Sequence, residues 1–170
     1  MKIIIIVAYS KNRVIGKDNK LLWHLTDDMK FFKKMTQNQT VLMGKNTYWS
    51  LPEKFRPLPN RNNILLTTKP FENTYENLRV FNNLETAIIT LKKEGLEKLF
   101  IIGGSQIYEA FLPFADEILA TEVDTIIEGD AYFPIFDKIE FHKEILQKFQ
   151  KNESNDFDFE IISYKRKLRL

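Results

Sequence analysis

The sequence predicts an α/β protein built on a mostly parallel sheet with an antiparallel strand at its C-terminal edge. Two observations carry this. Short apolar runs alternate with segments of helical period, and that order implies right-handed crossovers between parallel strands. Beyond residue 139 the pattern changes to two strand-like runs, 140–150 and 156–166, joined by Asn152-Glu153-Ser154-Asn155. That is a hairpin, so the sheet is expected to finish with antiparallel pairing.

The elements follow in order. Residues 2–9, with four consecutive isoleucines, read as a fully buried strand. Residues 26–36 read as a helix, with Thr26 as N-cap and Asp27 and Asp28 in its first turn. Thr40 to Met43 is a short strand ending at Gly44, and residues 45–51 form a short helix stopped by Pro52. Asn63 to Thr67 is another strand. Leu84 to Glu94 is a helix closed by Gly95. Leu99 to Ile102 is a buried strand, Ser105 to Leu112 a helix stopped by Pro113, and Glu117 to Val123 the next strand. In the last run, Phe157, Phe159 and Ile161 alternate with Asp156, Asp158 and Glu160, the period of a half-buried strand. The basic end, Lys165 to Arg169, reads as a solvated strand end.

Bulk properties narrow the function. The 170 residues, 44% hydrophobic and 28% charged, suit one domain over 1–170. A net charge of +2 creates no field that demands nucleic acid or a membrane. The lack of cysteine removes disulfides, thiolate nucleophiles and Cys-based zinc sites, and His24 and His142 are too few for a His-rich metal centre. The opening apolar run is too short for a secretory signal, and no stretch approaches transmembrane length. A cytoplasmic, monomeric protein is expected.

Ligands of open α/β sheets bind beyond the carboxyl ends of the strands. One residue near those ends is out of place. At about 100° per residue, Asp27 shares an arc with Lys30, Lys33 and Lys34, whereas Asp28 falls among Leu25, Met29, Phe31, Phe32 and Met35. The helix dipole explains Asp27. It does not explain a carboxylate facing where the phenylalanines face, because a buried carboxylate must take up a proton or find donors. A ligand with an amidine-like pair of N–H groups would match it bidentately. A functional Asp28 is preferred over a buried structural pair.

Two turns suit phosphate. Ile102-Gly103-Gly104-Ser105-Gln106-Ile107-Tyr108 is a strand end, two glycines and a helix start. The Rossmann fingerprint is absent, and a Gly-Gly turn can also be a tight connection. Gly44-Lys45-Asn46-Thr47 repeats the logic, and Thr67-Thr68-Lys69 adds hydroxyls and a cation. Each lysine alone could be an ordinary surface lysine.

Taken together these segments resemble the dihydrofolate reductase family. The carrying stretches are Arg13-Val14-Ile15-Gly16 through Leu22-Trp23, Asp28 with Phe32 and Lys33, Met43 to Thr47, Arg56-Pro57-Leu58-Pro59-Asn60-Arg61, Ile102-Gly103-Gly104 with Tyr108, and Glu128-Gly129-Asp130 with Phe133-Pro134. The resemblance implies an eight-stranded sheet flanked by about four helices, and reduction of 7,8-dihydrofolate by NADPH. It implies that Asp28 accepts from pterin N3 and the 2-amino group, backed by Thr121, with Trp23 supporting the pocket through water. Ile6 and Ile102 would offer carbonyls, and Ala8, Met29, Phe32, Leu58, Arg56 and Tyr108 would line the substrate. Arg61 would pair with the glutamate α-carboxylate. Ala8, Ile15, Gly16, Asn19, Leu21 and Ile102 would surround the nicotinamide. Gly44, Asn46, Thr47 and Gly103 to Tyr108, including Ser105, Gln106 and Ile107, would hold the pyrophosphate region. Lys45, Thr67, Thr68 and Lys69 would meet the 2′-phosphate. The Gly103-Gly104 bond would be cis.

The chain departs from the family at four places. Leu22 and Thr26 stand where prolines are usual, Ser105 replaces a common third glycine, and Gln106 replaces a frequent arginine. NADPH specificity would then rest more on Lys45, Thr68 and Lys69. Two alternatives share the observations: a pyrimidine reductase of riboflavin synthesis with the same architecture, and a non-catalytic nucleotide-binding module.

Overall fold

The computed structural model describes residues 1–168; Arg169 of the basic end lies outside them. Strands β1 (Lys2–Ser10), β2 (Val14–Gly16), β3 (Thr40–Gly44), β4 (Asn62–Leu66) and β5 (Leu78–Phe81) occupy the first half, with helices α1 (Thr26–Thr36) and α2 (Lys45–Ser50). Then come α3 (Leu84–Lys93), β6 (Lys98–Ile101), α4 (Ser105–Phe111), β7 (Glu117–Val123), β8 (Ala131–Tyr132), β9 (Phe141–Phe149) and β10 (Phe159–Arg166).

Eight strands form one sheet in the order β5-β4-β3-β6-β1-β7-β10-β9. Every pair from β5 to β7 is parallel; β10 is antiparallel to both neighbours. β2 and β8 make a separate two-stranded sheet. The hairpin therefore exists and the sheet finishes in antiparallel pairing, as expected, with β9 at the edge and β10 one place in. The half-buried reading of the last run is corrected. Ile161, Ile162, Ser163 and Tyr164 are all buried because β10 is covered on both faces, while β9 is exposed along most of its length.

The isoleucine run lies at the centre, between β6 and β7. Its odd-numbered residues, Ile3, Ile5, Val7 and Tyr9, join a core with Leu91 of α3 and Tyr108 and Phe111 of α4. The even-numbered Ile4 and Ile6 pack on the other face, where Phe31, Phe32 and Met35 of α1 and Tyr48 of α2 cover them. Strands buried on both faces read as continuous apolar runs, which is why the period of two vanishes here.

Three local readings are revised. Thr26 is the first helical residue of α1 and not its cap; Leu25 holds the cap position in extended conformation and offers no side-chain bond. The donor is satisfied from outside, as Asn155 Oδ1 accepts from the Asp27 backbone N–H at 3.3 Å. Asn155 Nδ2 donates to Asp27 Oδ2 at 2.8 Å. Pro113 sits in a 3₁₀ turn, Leu112–Phe114, that continues from α4. β5 was not anticipated: Leu78 is buried but Arg79 and Val80 are exposed, so four residues show no usable period.

Gly129 precedes β8 where the chain crosses β2. A Cβ there would lie 2.3 Å from Val14 Cγ1 and 2.7 Å from the Gly16 carbonyl oxygen. Gly129→Ala is expected to destabilise the fold by about 1–3 kcal/mol, as overpacking does. Urea unfolding measures this, and an unchanged midpoint would show that the crossing relaxes freely.

Candidate functional site

Parallel register brings the ends of β1, β6 and β7 to one rim. Ala8 pairs with Thr121, and Thr121 with Ile161 on the far side, so the Thr121 side chain is held by strands on both flanks. Helix α1 crosses above. Its Asp28 carboxylate accepts from Thr121 Oγ1 at 2.5 Å. Burial lifts the Asp28 carboxyl from 3.8 to about 6, and the Thr121 hydrogen bond opposes that rise. Oδ1 keeps a lone pair and Oδ2 keeps both, so a donor pair arriving from the rim can still be accepted.

The walls are apolar. Ile6, Leu58, Phe31, Phe32, Met35 and Ile102 belong to one cluster. The buried Tyr108 hydroxyl donates to the Ile6 carbonyl at 2.9 Å, which leaves that oxygen one further lone pair. Burial, then the charge of Asp28, push the Tyr108 phenol far above its ordinary range, so it stays a neutral donor. Trp23 is buried with Leu25, Val123, Phe159 and Ile161, against Ala8 and Leu22. Met29, on the margin of the apolar arc, is 56% exposed and is not part of these walls.

Arg61 lies at the other end of α1. It is 8% exposed, and its Nη1 donates to Thr36 Oγ1 at 3.2 Å and its Nε to the Pro59 carbonyl at 2.9 Å. Among the described residues it has no carboxylate partner. A buried guanidinium with donors to spare is suited to receive a carboxylate and is not a surface arginine. Asp28 and Thr36 are eight residues apart on one helix, or about 12 Å. Arg56 is spent differently: it stacks 4.6 Å from the Trp49 ring and donates to the Leu51 carbonyl at 3.2 Å.

The two glycine turns are neighbours because β3 pairs with β6. Gly44 N–H donates to the Gly103 carbonyl at 2.9 Å, and the Gly103-Gly104 bond is cis. A Cβ on Gly44 would meet Ile107 Cγ1 at 2.9 Å, and one on Gly104 would face Thr47 Oγ1 at 3.5 Å. The first turns of α2 and α4 thus share one cradle, with free N–H groups from Asn46, Thr47, Ser105 and Gln106 beside the Thr47 hydroxyl. Next to it lies a concavity of about 420 Å³ lined by Thr67, Thr68, Lys69, Pro70, Val80, Phe81 and Asn82. Val80 and Phe81 come from β5, which the sequence did not reveal, and Asn82 follows it. A larger concavity of about 550 Å³ lies at the opposite strand ends, lined among others by Asn38, Gln39, Asn62, Asn63 and Glu94, and shares none of the Asp28 or cradle residues.

The segment after Gly16 carries Asn19 and Leu21, both exposed, with Leu21 at 66%. Asp18 and Asn19 both have positive φ. The Asp18 N–H donates to Asp130 Oδ2 at 3.0 Å, so the loop is tied to the strand-β8 region. Sequence reasoning assigned nothing to Asp130, Thr36 or Asn63. Asp130 and Thr36 bond segments distant in sequence, and Asn63 bonds the turn just before its own strand, none of which leaves a periodic signal.

A parallel sheet with a carboxylate-anchored ring pocket beside a two-turn anion cradle defines a class of nucleotide- and heterocycle-binding α/β proteins. The dihydrofolate reductase family model matches residues 2–166. A dihydrofolate reductase of Bacillus subtilis is 37% identical over 162 residues, covering 95% of this chain and 93% of that one. One from Haemophilus influenzae is 33% identical, covering 96% and 98%. The structure of Enterococcus faecalis dihydrofolate reductase, complexed with NADP(H) and RAB-propyl, superposes with a TM-score of 0.86 at 32% identity, covering 97% and 96%. The chain belongs to the dihydrofolate reductase family.

The raised Asp28 value has a consequence for stability. The unfolded chain ionises near 3.8 and the folded one near 6, so folding is favoured below 3.8 and loses that advantage as pH rises to about 6. Asp28→Asn should therefore stabilise the fold above pH 6, by about 1–3 kcal/mol, and the gain should shrink towards pH 4. Urea unfolding of both proteins at the two pH values tests this; a destabilised variant at pH 7 would mean that the carboxylate is well solvated.

Proposed function

We propose that the protein reduces 7,8-dihydrofolate to 5,6,7,8-tetrahydrofolate with NADPH. One observation carries this reading beyond the family: α1 holds Asp28 at one end and reaches the buried Arg61 through Thr36 at the other. That spacing fits a ligand with an N–H pair on its ring and a carboxylate on its tail. The pyrimidine reductase alternative has no use for the buried guanidinium.

Asp28 accepts pterin N3–H and the 2-amino group, while Thr121 holds the carboxylate in the orientation that presents both oxygens. With its pKa near 6, Asp28 is mostly ionised at neutral pH and favours the protonated, more electrophilic ring. Phe32 and Ile6 hold the ring system and exclude water from the reacting face, while Leu58, fastened beside Arg61, lines the tail. Trp23 stiffens the β7 side of the pocket. Arg61 takes the glutamate α-carboxylate.

The cradle fits the cofactor. Gly44, Asn46, Thr47 and Gly104 to Ile107 hold the pyrophosphate, and Lys45, Thr67, Thr68 and Lys69 take the adenosine 2′-phosphate. Ala8, Ile15, Asn19 and Leu21 cover the nicotinamide end. When bound, NADPH supplies the hydride for pterin C6; the proton goes to N5. The chain acts as one cytoplasmic, monomeric domain on small molecules. Among the described residues no helix is long and apolar enough to cross a membrane.

NADPH oxidation followed by absorbance with dihydrofolate is the direct test; no turnover with dihydrofolate would reject the reading. Asp28→Asn should lower kcat/KM at pH 7 by about 100- to 1000-fold and leave NADPH affinity unchanged. Near-full activity in that variant would remove Asp28 from the mechanism. Thr121→Val loses the bond that holds the Asp28 pKa down, so the acid limb of the pH–rate profile should move above 6; an unmoved limb contradicts this. Arg61→Ala should weaken dihydrofolate binding by about tenfold or more with NADPH binding within about twofold. Equal weakening of both ligands would place Arg61 outside the substrate site.

A further inference from the structure

We infer that Asn63 is a positioning residue of the substrate site: its carboxamide fastens the Leu58–Arg61 turn to β4, and so fixes Leu58 and Arg61 against the substrate's tail. The inference rests on the proposed function.

Asn63 is 1% exposed and stands second in β4. Its backbone belongs to the sheet, paired with Val41 and Leu78. Its side chain turns to the loop. Oδ1 accepts from the Leu58 N–H at 3.0 Å, and Nδ2 donates to the Leu58 carbonyl at 3.0 Å. The same Nδ2 donates to the Arg61 carbonyl at 3.1 Å. One amide thus acts as a strand partner for Leu58 and as an anchor for Arg61.

Beyond the Arg61 bonds to the Pro59 carbonyl and Thr36 and the apolar packing of Leu58, the loop backbone has few partners. Pro57 and Pro59 have no N–H to give. Asn60 reverses the chain at φ 57, and only its carbonyl finds a distant backbone donor, Asn38 N–H at 2.9 Å. Leu58 has no backbone partner among the described residues. Asn77 Nδ2 reaches the Leu58 carbonyl only at 3.4 Å, and offers nothing to its N–H. Leu58 and Arg61 are 6% and 8% exposed, so solvent cannot easily replace a lost partner.

Chemistry selects asparagine here. The site needs one acceptor and two donors on one short, flat group. An aspartate of the same shape would still accept from Leu58 N–H, but would turn an oxygen on two carbonyl oxygens. The loop must then move, and with it the Leu58 wall and the Arg61 guanidinium. Asp28 and Thr121 stand on α1 and β7 and share no bond with Asn63, so the ring end stays in place.

The test compares two substrates on the full chain: dihydrofolate, and a 6-methyl-dihydropterin without the benzoylglutamate tail. In Asn63→Asp, KM for dihydrofolate should rise about tenfold or more with kcat within about twofold. KM for the tail-less substrate and Kd for NADPH should stay within about twofold. An equal loss on both substrates, or no loss on dihydrofolate, overturns the inference. Should Asn63→Asp not fold, Asn63→Ser runs the same comparison, since it loses the second donor without adding charge. In the wild-type protein, hydrogen exchange at the Leu58 amide should be slowed about 1000-fold or more relative to an unprotected loop amide. Fast exchange there also overturns it. If the wild type reduced neither substrate, the proposed function would fall instead, while slow Leu58 exchange would still report the fastening.

Discussion

The site depends on β1 being hydrogen-bonded on both edges to parallel strands. A parallel strand has all its neighbours' carboxyl ends at one side, and β1 is the only strand here that borders both β6 and β7. β6 leads into the cis glycine pair and the anion cradle. β7 carries Thr121. The isoleucine run is thus more than core: its register decides that the cradle and the acid anchor lie beside one another. A slip of one residue would exchange the α1 face for the α3 and α4 face along all of β1. Burial on both faces makes that slip costly, since Ile3 to Val7 are all buried.

Asp28 works against this stable frame. Its raised pKa means that the ionised form is disfavoured where it stands, and among the described residues the Thr121 hydroxyl is the one donor to its carboxylate. A structural acid would be given more donors; Asp27, one residue earlier, is met by the Asn155 amide. The contrast between adjacent aspartates is what a ligand-facing role predicts. Arg61 repeats it with opposite sign, since burial lowers its pKa and no carboxylate compensates. A half-buried carboxylate and a buried guanidinium, each under-partnered and tied to opposite ends of one helix, suit a ligand whose own groups complete them.

Most of the fold was legible because its long elements carry clear periods. β1, α1, α3 and β7 follow from apolar runs or helical spacing, and their ends from Gly95 and the glycine turns. What was illegible was set by neighbours distant in sequence. Thr26 looks like a cap, but Asn155 arrives from the C-terminal hairpin and does that work. β5 is four residues long and takes its strand form from the ladder with β4. β10 looks half-buried because its alternation begins in the turn before Phe159, whereas the strand proper is covered on both faces. In the site, the place of Asp28 could be read from the wheel. The burial of Arg61 could not, since a single arginine after a turn has no pattern; Thr36 and the Pro59 carbonyl, which hold it, meet it only in the folded chain.

The departures from the family pattern fall where the structure can absorb them. Leu22 lacks the fixed φ of proline, yet its side chain packs with Trp23 and Val123 and so regains apolar restraint for the covering segment. Asp18 and Asn19 already adopt positive φ, and the Asp18 N–H is held by Asp130. The segment is therefore pinned at its tip and at its base, with exposed Leu21 between. Gln106 is exposed and carries no charge, so it cannot replace an arginine electrostatically. Under the proposed function, the concavity beside the cradle offers the alternative. Thr67 and Thr68 bring hydroxyls and Lys69 a cation to one wall, while Lys45 begins the adjacent helix. Lysine binds a phosphate as a point charge and needs no planar fork. Selection of the extra phosphate can thus pass from one residue on α4 to a cluster at the end of β4 without any change in the strand order that builds the site.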